Sequence, residues 1–329
     1  MHIPENYLSP STCAITTAAM LPVWGCAIKR VREDVPQEKL PLLGVAAAFC
    51  FLSMMFNIPL PGGTTGHAVC GTLVAILFGP WAAVIVVSVA LAVQAFFFGD
   101  GGILAFGANC LNMAFILPMV GYSLYTLLKR HLKGERGELV SAAIASYLAL
   151  NAAALAAALE FGIQPALFHD AAGNALYCPY PLSVSVPAML LGHLTVAGFA
   201  EAGFTVGILA SLRSTAPSFG LTEKNEPSGK TSVAIFSLLA VLIAACPLGL
   251  LATGDAWGEW GLEDLSVQVG YTPAGMDGGW EWSALLPDYA VGSLPAWLGY
   301  VLSAVIGVSL LVIIFRVAGA LAKPRPSFD

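Results

Sequence analysis

The sequence predicts an all-α polytopic membrane protein, a bundle of seven spans followed by a two-span C-terminal module. Three observations carry this. Of 329 residues, 57% are hydrophobic and only 10% charged, whereas soluble domains are about 25% charged. The apolar residues fall into windows of about 20, the length a helix needs to cross a hydrocarbon core. These windows lie near 8–28, 40–60, 80–98, 103–128, 139–160, 187–211, 232–252 and 295–315. Finally, every Lys and Arg falls in one of four stretches, 29–39, 129–136, 213–230 and 316–325.

Those basic stretches set the expected topology. Positive residues stay on the cytoplasmic side, so the chain between two such stretches crosses an even number of times. Between Lys39 and Lys129 there are three long windows and one short apolar piece, 64–78. The short piece must cross as well, which makes nine crossings with Met1 outside and Asp329 inside. Asp100, Asp170 and every acidic residue from Asp255 to Asp288 then fall on the outer side. The expected location is the cytoplasmic membrane. About fifteen helical residues reach about 22 Å of a core about 30 Å thick, so the outer end of 64–78, with His67, is drawn below the surface.

In chain order, Pro4 and Pro10 keep residues 3–9 from continuing as helix. No basic region precedes the first apolar run, so no cleaved signal peptide is expected and Met1 is retained. Irregular backbone at 61–65 is tolerated at membrane depth only where protein or a cavity surrounds it, and the N-terminal segment is the natural filler. The glycines of 62–66 read as a tight turn presenting His67. The seven cysteines show no CxxC spacing and read as small buried hydrophobes. A linker, 213–230, rich in Ser, Pro, Thr, Gly and charge, reads as a flexible cytoplasmic tether. It separates 1–212 from 231–329, whose outer loop, 253–294, carries Trp257-Gly-Glu-Trp260 and Asp288-Tyr-Ala-Val291.

The chemistry starts at the chain end. The Met1 amine, the His2 amide nitrogen and the His2 imidazole can chelate one ion in fused five- and six-membered rings, and His67 can add a fourth nitrogen. Four nitrogens in a plane suit Ni(II) or Cu(II), with Co(II) a close relative.

Met-His-Ile-Pro-Glu-Asn-Tyr-Leu-Ser-Pro at 1–10 resembles the opening of the CbiM/NikM family, the substrate-binding (S) components of energy-coupling factor transporters for cobalt and nickel. The stretches 62–71 and 77–83, and Gly107-Ala-Asn-Cys-Leu-Asn-Met113, resemble further signatures of that family. The two spans after the linker, with Gly261-Leu-Glu-Asp264, are similar to its accessory NikN/CbiN (PDGLE-type) component. The resemblance implies high-affinity uptake of Ni(II) or Co(II), nickel slightly favoured, with Met1, His2 and His67 as metal ligands. It also implies a coupling transmembrane subunit (CbiQ/NikQ-like) and ATPase subunits (CbiO/NikO-like) as partners. The alternative is a membrane metal sensor or accessory metal-binding protein without transport.

The remaining candidates are weaker. Asn109 and Asn112 read as donors that orient a metal-bound imidazole, or as plain interhelical amides. His193 and Glu201, eight apart and roughly on one helix face, read as a buried polar pair more readily than as a proton relay. His131 and His169 are expected in solvent, and Met54, Met55 and Met113 in the core. The chain lacks GxxxxGK[ST], so it is not expected to be an enzyme and ATP hydrolysis would belong to a partner. Nucleic acid is not expected as a partner.

Overall fold

A computed structural model describes residues 1–215 and 229–321. Among these, eight helices are long and apolar enough to cross a membrane. They are α1 (Pro10–Asp34), α2 (Gln37–Met55), α4 (Pro80–Phe98), α5 (Phe106–His131), α6 (Gly134–Leu167), α7 (Leu182–Ser214), α8 (Val233–Leu251) and α10 (Ala296–Leu321). A short α3 (Gly71–Phe78) lies between α2 and α4, and α9 (Leu262–Val269) lies in the loop between α8 and α10. The chain is thus the all-helical polytopic membrane protein its composition predicts. Most of the linker expected at 213–230 lies outside the described residues, as does the chain end after Leu321.

The core runs along α2 and α4, which are the most buried spans, while α1 turns most of its surface outward. Ile15 and Leu21 of α1 are exposed, as lipid-facing residues should be. The last helix, α10, packs along α2, and aromatic rings join the two. Phe51 meets Phe98 at 5.4 Å, Phe98 stacks on Tyr289 at 4.8 Å, and Tyr289 meets Tyr300 at 5.3 Å between ring centroids. The Tyr300 hydroxyl donates to the Met55 carbonyl at the end of α2.

The expected helical piece at 64–78 is corrected. The window at 40–60 stops at Met55, because Pro59 and Pro61 cannot supply the helical N–H groups. An antiparallel hairpin follows, β1 (Ile58–Leu60) paired with β2 (Thr64–Gly66). Gly62 and Gly63 both have positive φ, which lets the chain reverse in so few residues. Helix resumes only at Gly71, and α3 has eight residues, about 12 Å. His67 therefore sits on extended chain between a hairpin and a helix, not on a helix.

Candidate metal centre

The first nine residues form no helix, as Pro4 and Pro10 dictate, and they run inward instead. Ser9 caps α1, its hydroxyl accepting from the Thr12 amide, and Pro10 takes the first helical position. Upstream, several polar groups are matched by distant elements. The Ile3 amide donates to the Asn109 carbonyl oxygen at 2.7 Å, while the Asn109 amide and the Gly102 amide both donate to the Ile3 carbonyl. The Glu5 carboxylate accepts from the amides of Ile103 and Leu104. The Ser9 amide donates to Gln164, and the Tyr7 hydroxyl donates to the Trp260 carbonyl. Ile3, Tyr7 and Leu8 add apolar burial to this fixing.

The segment delivers the chain end to an enclosed place. Met1 is 3% exposed, His2 2% and His67 6%. His67 Nε2 lies 3.3 Å from His2 Nδ1, and His2 Nδ1 lies 3.0 Å from Asp100 Oδ1. The Met1 amine pairs with Glu259 at 3.3 Å, so the C-terminal module supplies the counter-charge of the N-terminus. The hydrogen-bond network assigns the protons. His67 Nδ1 faces the Ala68 carbonyl at 3.3 Å and donates to it, leaving a lone pair on Nε2. The His2 Nδ1 proton then lies between Asp100 and that lone pair, while His2 Nε2 is buried without a partner.

A cavity of about 370 Å³ opens beside this group, lined by His2, His67, Asp100, Asp255 and Glu259 among others. Gly101, with φ +87, closes one wall; a Cβ there would stand 3.1 Å from the Asn109 amide nitrogen and 3.5 Å from the His2 ring. The buried Tyr289 hydroxyl donates to Asp100 Oδ2 at 2.5 Å.

The electrostatics keep the nitrogens available. Burial pushes the His67 imidazole well below its ordinary range, and the His2 ring and the Met1 amine push it the same way. Burial would raise Asp100, but the facing His2 ring, then His67 and the Tyr289 hydroxyl, hold its carboxyl well below the carboxylate range. Glu259 is raised by burial, with the Met1 amine as the main opposing influence.

Two ligands at 90° with bonds of about 2.0 Å stand about 2.9 Å apart, so the 3.3 Å between His2 Nδ1 and His67 Nε2 needs only a small adjustment to admit an ion. His2 Nδ1 is also the ring atom that closes a six-membered chelate with its own amide. Among the described residues, no three His, Cys, Asp or Glu side chains converge as a metal site.

Several expectations change in detail. Asn109 fixes Ile3 next to His2 but reaches no imidazole. Asn112 donates to Glu160 at 2.6 Å. His193 and Glu201 make no direct pair among the described residues, since eight residues separate them by about 12 Å along the helix. His193 Nδ1 meets the Met189 carbonyl, while Glu201 accepts from the Val69 and Cys70 amides. His131 and His169 are exposed, as expected. Asp100 and Glu259 were not expected at the site. The Asp100-Gly-Gly turn between two spans was the one local signal for the first, and the Trp-rich motif around Glu259 for the second.

Fold and pocket together define a class: a polytopic helical membrane protein that buries its own N-terminus in a nitrogen-rich pocket. The chain belongs to the CbiM family, described as the cobalt uptake substrate-specific transmembrane region, which matches residues 2–219; a PDGLE domain matches 231–324. It is 50% identical to the fused nickel transport protein NikMN of Rhodobacter capsulatus, over 95% of both chains. It is 46% identical to the probable fused nickel transport protein LarMN of Lactiplantibacillus plantarum, over 96% of this chain and 97% of the relative. A crystal structure described as a transition metal transporter superposes with a TM-score of 0.62 at 51% identity, covering 65% of this chain and 93% of that one.

Proposed function

We propose that this chain captures Ni(II) or Co(II), nickel slightly favoured, as the substrate-binding component of an energy-coupling factor importer. The ion is held by the Met1 amine, the amide and Nδ1 of His2, and Nε2 of His67. On this reading capture releases one proton from the Met1 ammonium and one from the His2 amide, and the His2 ring frees Nδ1 by carrying its proton on Nε2 instead. The single observation that carries the proposal is the burial of two facing imidazole nitrogens, 3.3 Å apart, beside the chain's own amine.

Residues 1–212 form the binding bundle, 213–230 a linker, and 231–329 an accessory module whose loop, 253–294, lines the pocket through Asp255 and Glu259. Met1 lies outside the cell and Asp329 inside, with α3 and its flanks as a ninth crossing. Uptake requires partners this chain does not contain, a coupling transmembrane subunit and ATPase subunits that hydrolyse ATP. The test is metal analysis of the protein purified after exposure to Ni(II) or Co(II). One ion per chain is expected, and His67→Ala should lose it while still inserting in the membrane. Retention of the ion by that variant would refute the assignment.

A further inference from the structure

The strongest unassigned feature is Glu201, a carboxylate in the last span of the bundle with no exposed surface. One of its oxygens, Oε2, accepts two consecutive main-chain N–H groups, from Val69 at 2.8 Å and from Cys70 at 2.9 Å. Two successive N–H groups converge on one oxygen only when the chain curls into a nest. The backbone of Val69, which joins the two peptides, turns both N–H groups to that oxygen, and Cys70, with φ 62 and ψ 20, then redirects the chain into α3.

The Val69 N–H belongs to the same peptide plane as the Ala68 carbonyl, and that carbonyl is what His67 Nδ1 faces at 3.3 Å. A carboxylate on the N–H side of a peptide draws electron density toward its oxygen and strengthens it as an acceptor. The path runs from Glu201 Oε2 through the Ala68–Val69 peptide to His67 Nδ1–H, and leaves the lone pair on Nε2 directed at His2. Metal-bound histidines depend on such a partner for ring orientation and tautomer. Here a peptide group carries the effect across.

We infer that Glu201 is a positioning residue for the metal-binding histidine. It holds the 68–70 backbone so that His67 presents Nε2 to the ion, and it ties that presentation to α7. This rests on the reading of His67 as a ligand, so the experiment separates the two. Wild type, Glu201→Ala, Glu201→Gln and His67→Ala are purified as full chains. Each is titrated with Ni(II), and the nitrogens bound to Cu(II) as a planar probe are counted by electron paramagnetic resonance.

Glu201→Ala should weaken Ni(II) binding by about 10- to 100-fold and reduce the nitrogen count or make it heterogeneous. Glu201→Gln keeps an acceptor oxygen for both amides and should recover most of the affinity and the full count. Wild-type affinity in Glu201→Ala would overturn the inference. So would Gln falling as far as Ala with both apo proteins losing thermal stability in parallel, since packing alone would then account for the loss. If His67→Ala binds as wild type, the ligand assignment itself fails, whatever Glu201 does.

Discussion

Adding one residue ahead of Met1 is the sharpest perturbation of the proposed site. Met1 is 3% exposed and borders a space of only about 10 Å³, so an added residue acts both by its bulk and by its chemistry. The former amine becomes an amide, which neither pairs with Glu259 as a cation nor offers a free lone pair. Losing a hydrogen bond to a charged group costs about 1.5–3 kcal/mol, and the Glu259 side chain, 24% exposed, recovers part of that from water. The ion loses more. Removing an outer partner of a ligand already costs about 10- to 100-fold in affinity, so removing a ligand should cost upward of about 100-fold, or about 2.8 kcal/mol. Isothermal titration with Ni(II) in detergent measures this directly, comparing an N-terminal glycine extension with a C-terminal tag after Asp329. Expression and insertion should match. Equal affinity in the two forms would exclude the Met1 amine as a ligand and refute the planar nitrogen set.

Acid should destabilise the metal-free protein through His67. Its folded value is lowered, so below the ordinary value of about 6.5 the unfolded chain binds a proton that the folded site refuses. Stability should fall from pH 7 toward pH 5 by at most about 1.4 kcal/mol per pH unit, and His67→Gln should flatten the thermal midpoint over that range. Asp100, lowered in the fold, contributes stability above about 3.9 that is lost only at lower pH. An unchanged pH profile in His67→Gln would contradict the neutral, buried imidazole. Asn109→Ala strands the Ile3 amide and should cost about 1–3 kcal/mol, read as a lower melting temperature together with weaker Ni(II) binding; a normal melting temperature would show that residues 1–9 are anchored by other contacts. In a cysteine-free background, Asp277→Cys should label from outside the cell and Lys133→Cys only after permeabilisation, and the reverse pattern would sink the topology.

Spans were legible in the sequence because the bilayer imposes one length and one composition on them, and the eight long helices fall close to their apolar windows. The piece at 64–78 was misjudged because apolar content cannot distinguish buried extended chain from buried helix; Pro59, Pro61 and the two threonines held the better signal. At the site, Met1 could be read as a nitrogen donor from its place at the chain end, His2 and His67 from residue type, and the three as one set only through the resemblance to a known family. Asp100 and Glu259 could not, since a carboxylate's partner is decided by which loops fold over which, and Glu259 lies 258 residues from the amine it faces. His193 and Glu201 share a helix but stand about 12 Å apart along it, so each found its own neighbour, the Met189 carbonyl for one and the Val69 and Cys70 amides for the other.

The hairpin that carries His67 has a further neighbour on its edge. The Thr65 amide and the Thr64 hydroxyl both donate to the Asp255 carbonyl, and Thr65 and Ala256 form a short parallel bridge. This docking uses main chain on the loop side, so it does not depend on which side chains stand at 255 and 256. One end of a three-residue strand thus leads into a ligand while its edge holds the cover. Neither can shift far without the other, so an ion held by His67 would be tied to the docking of this loop. Its residence time should then follow the opening rate of the 253–256 segment as well as the strength of the bonds to the ion.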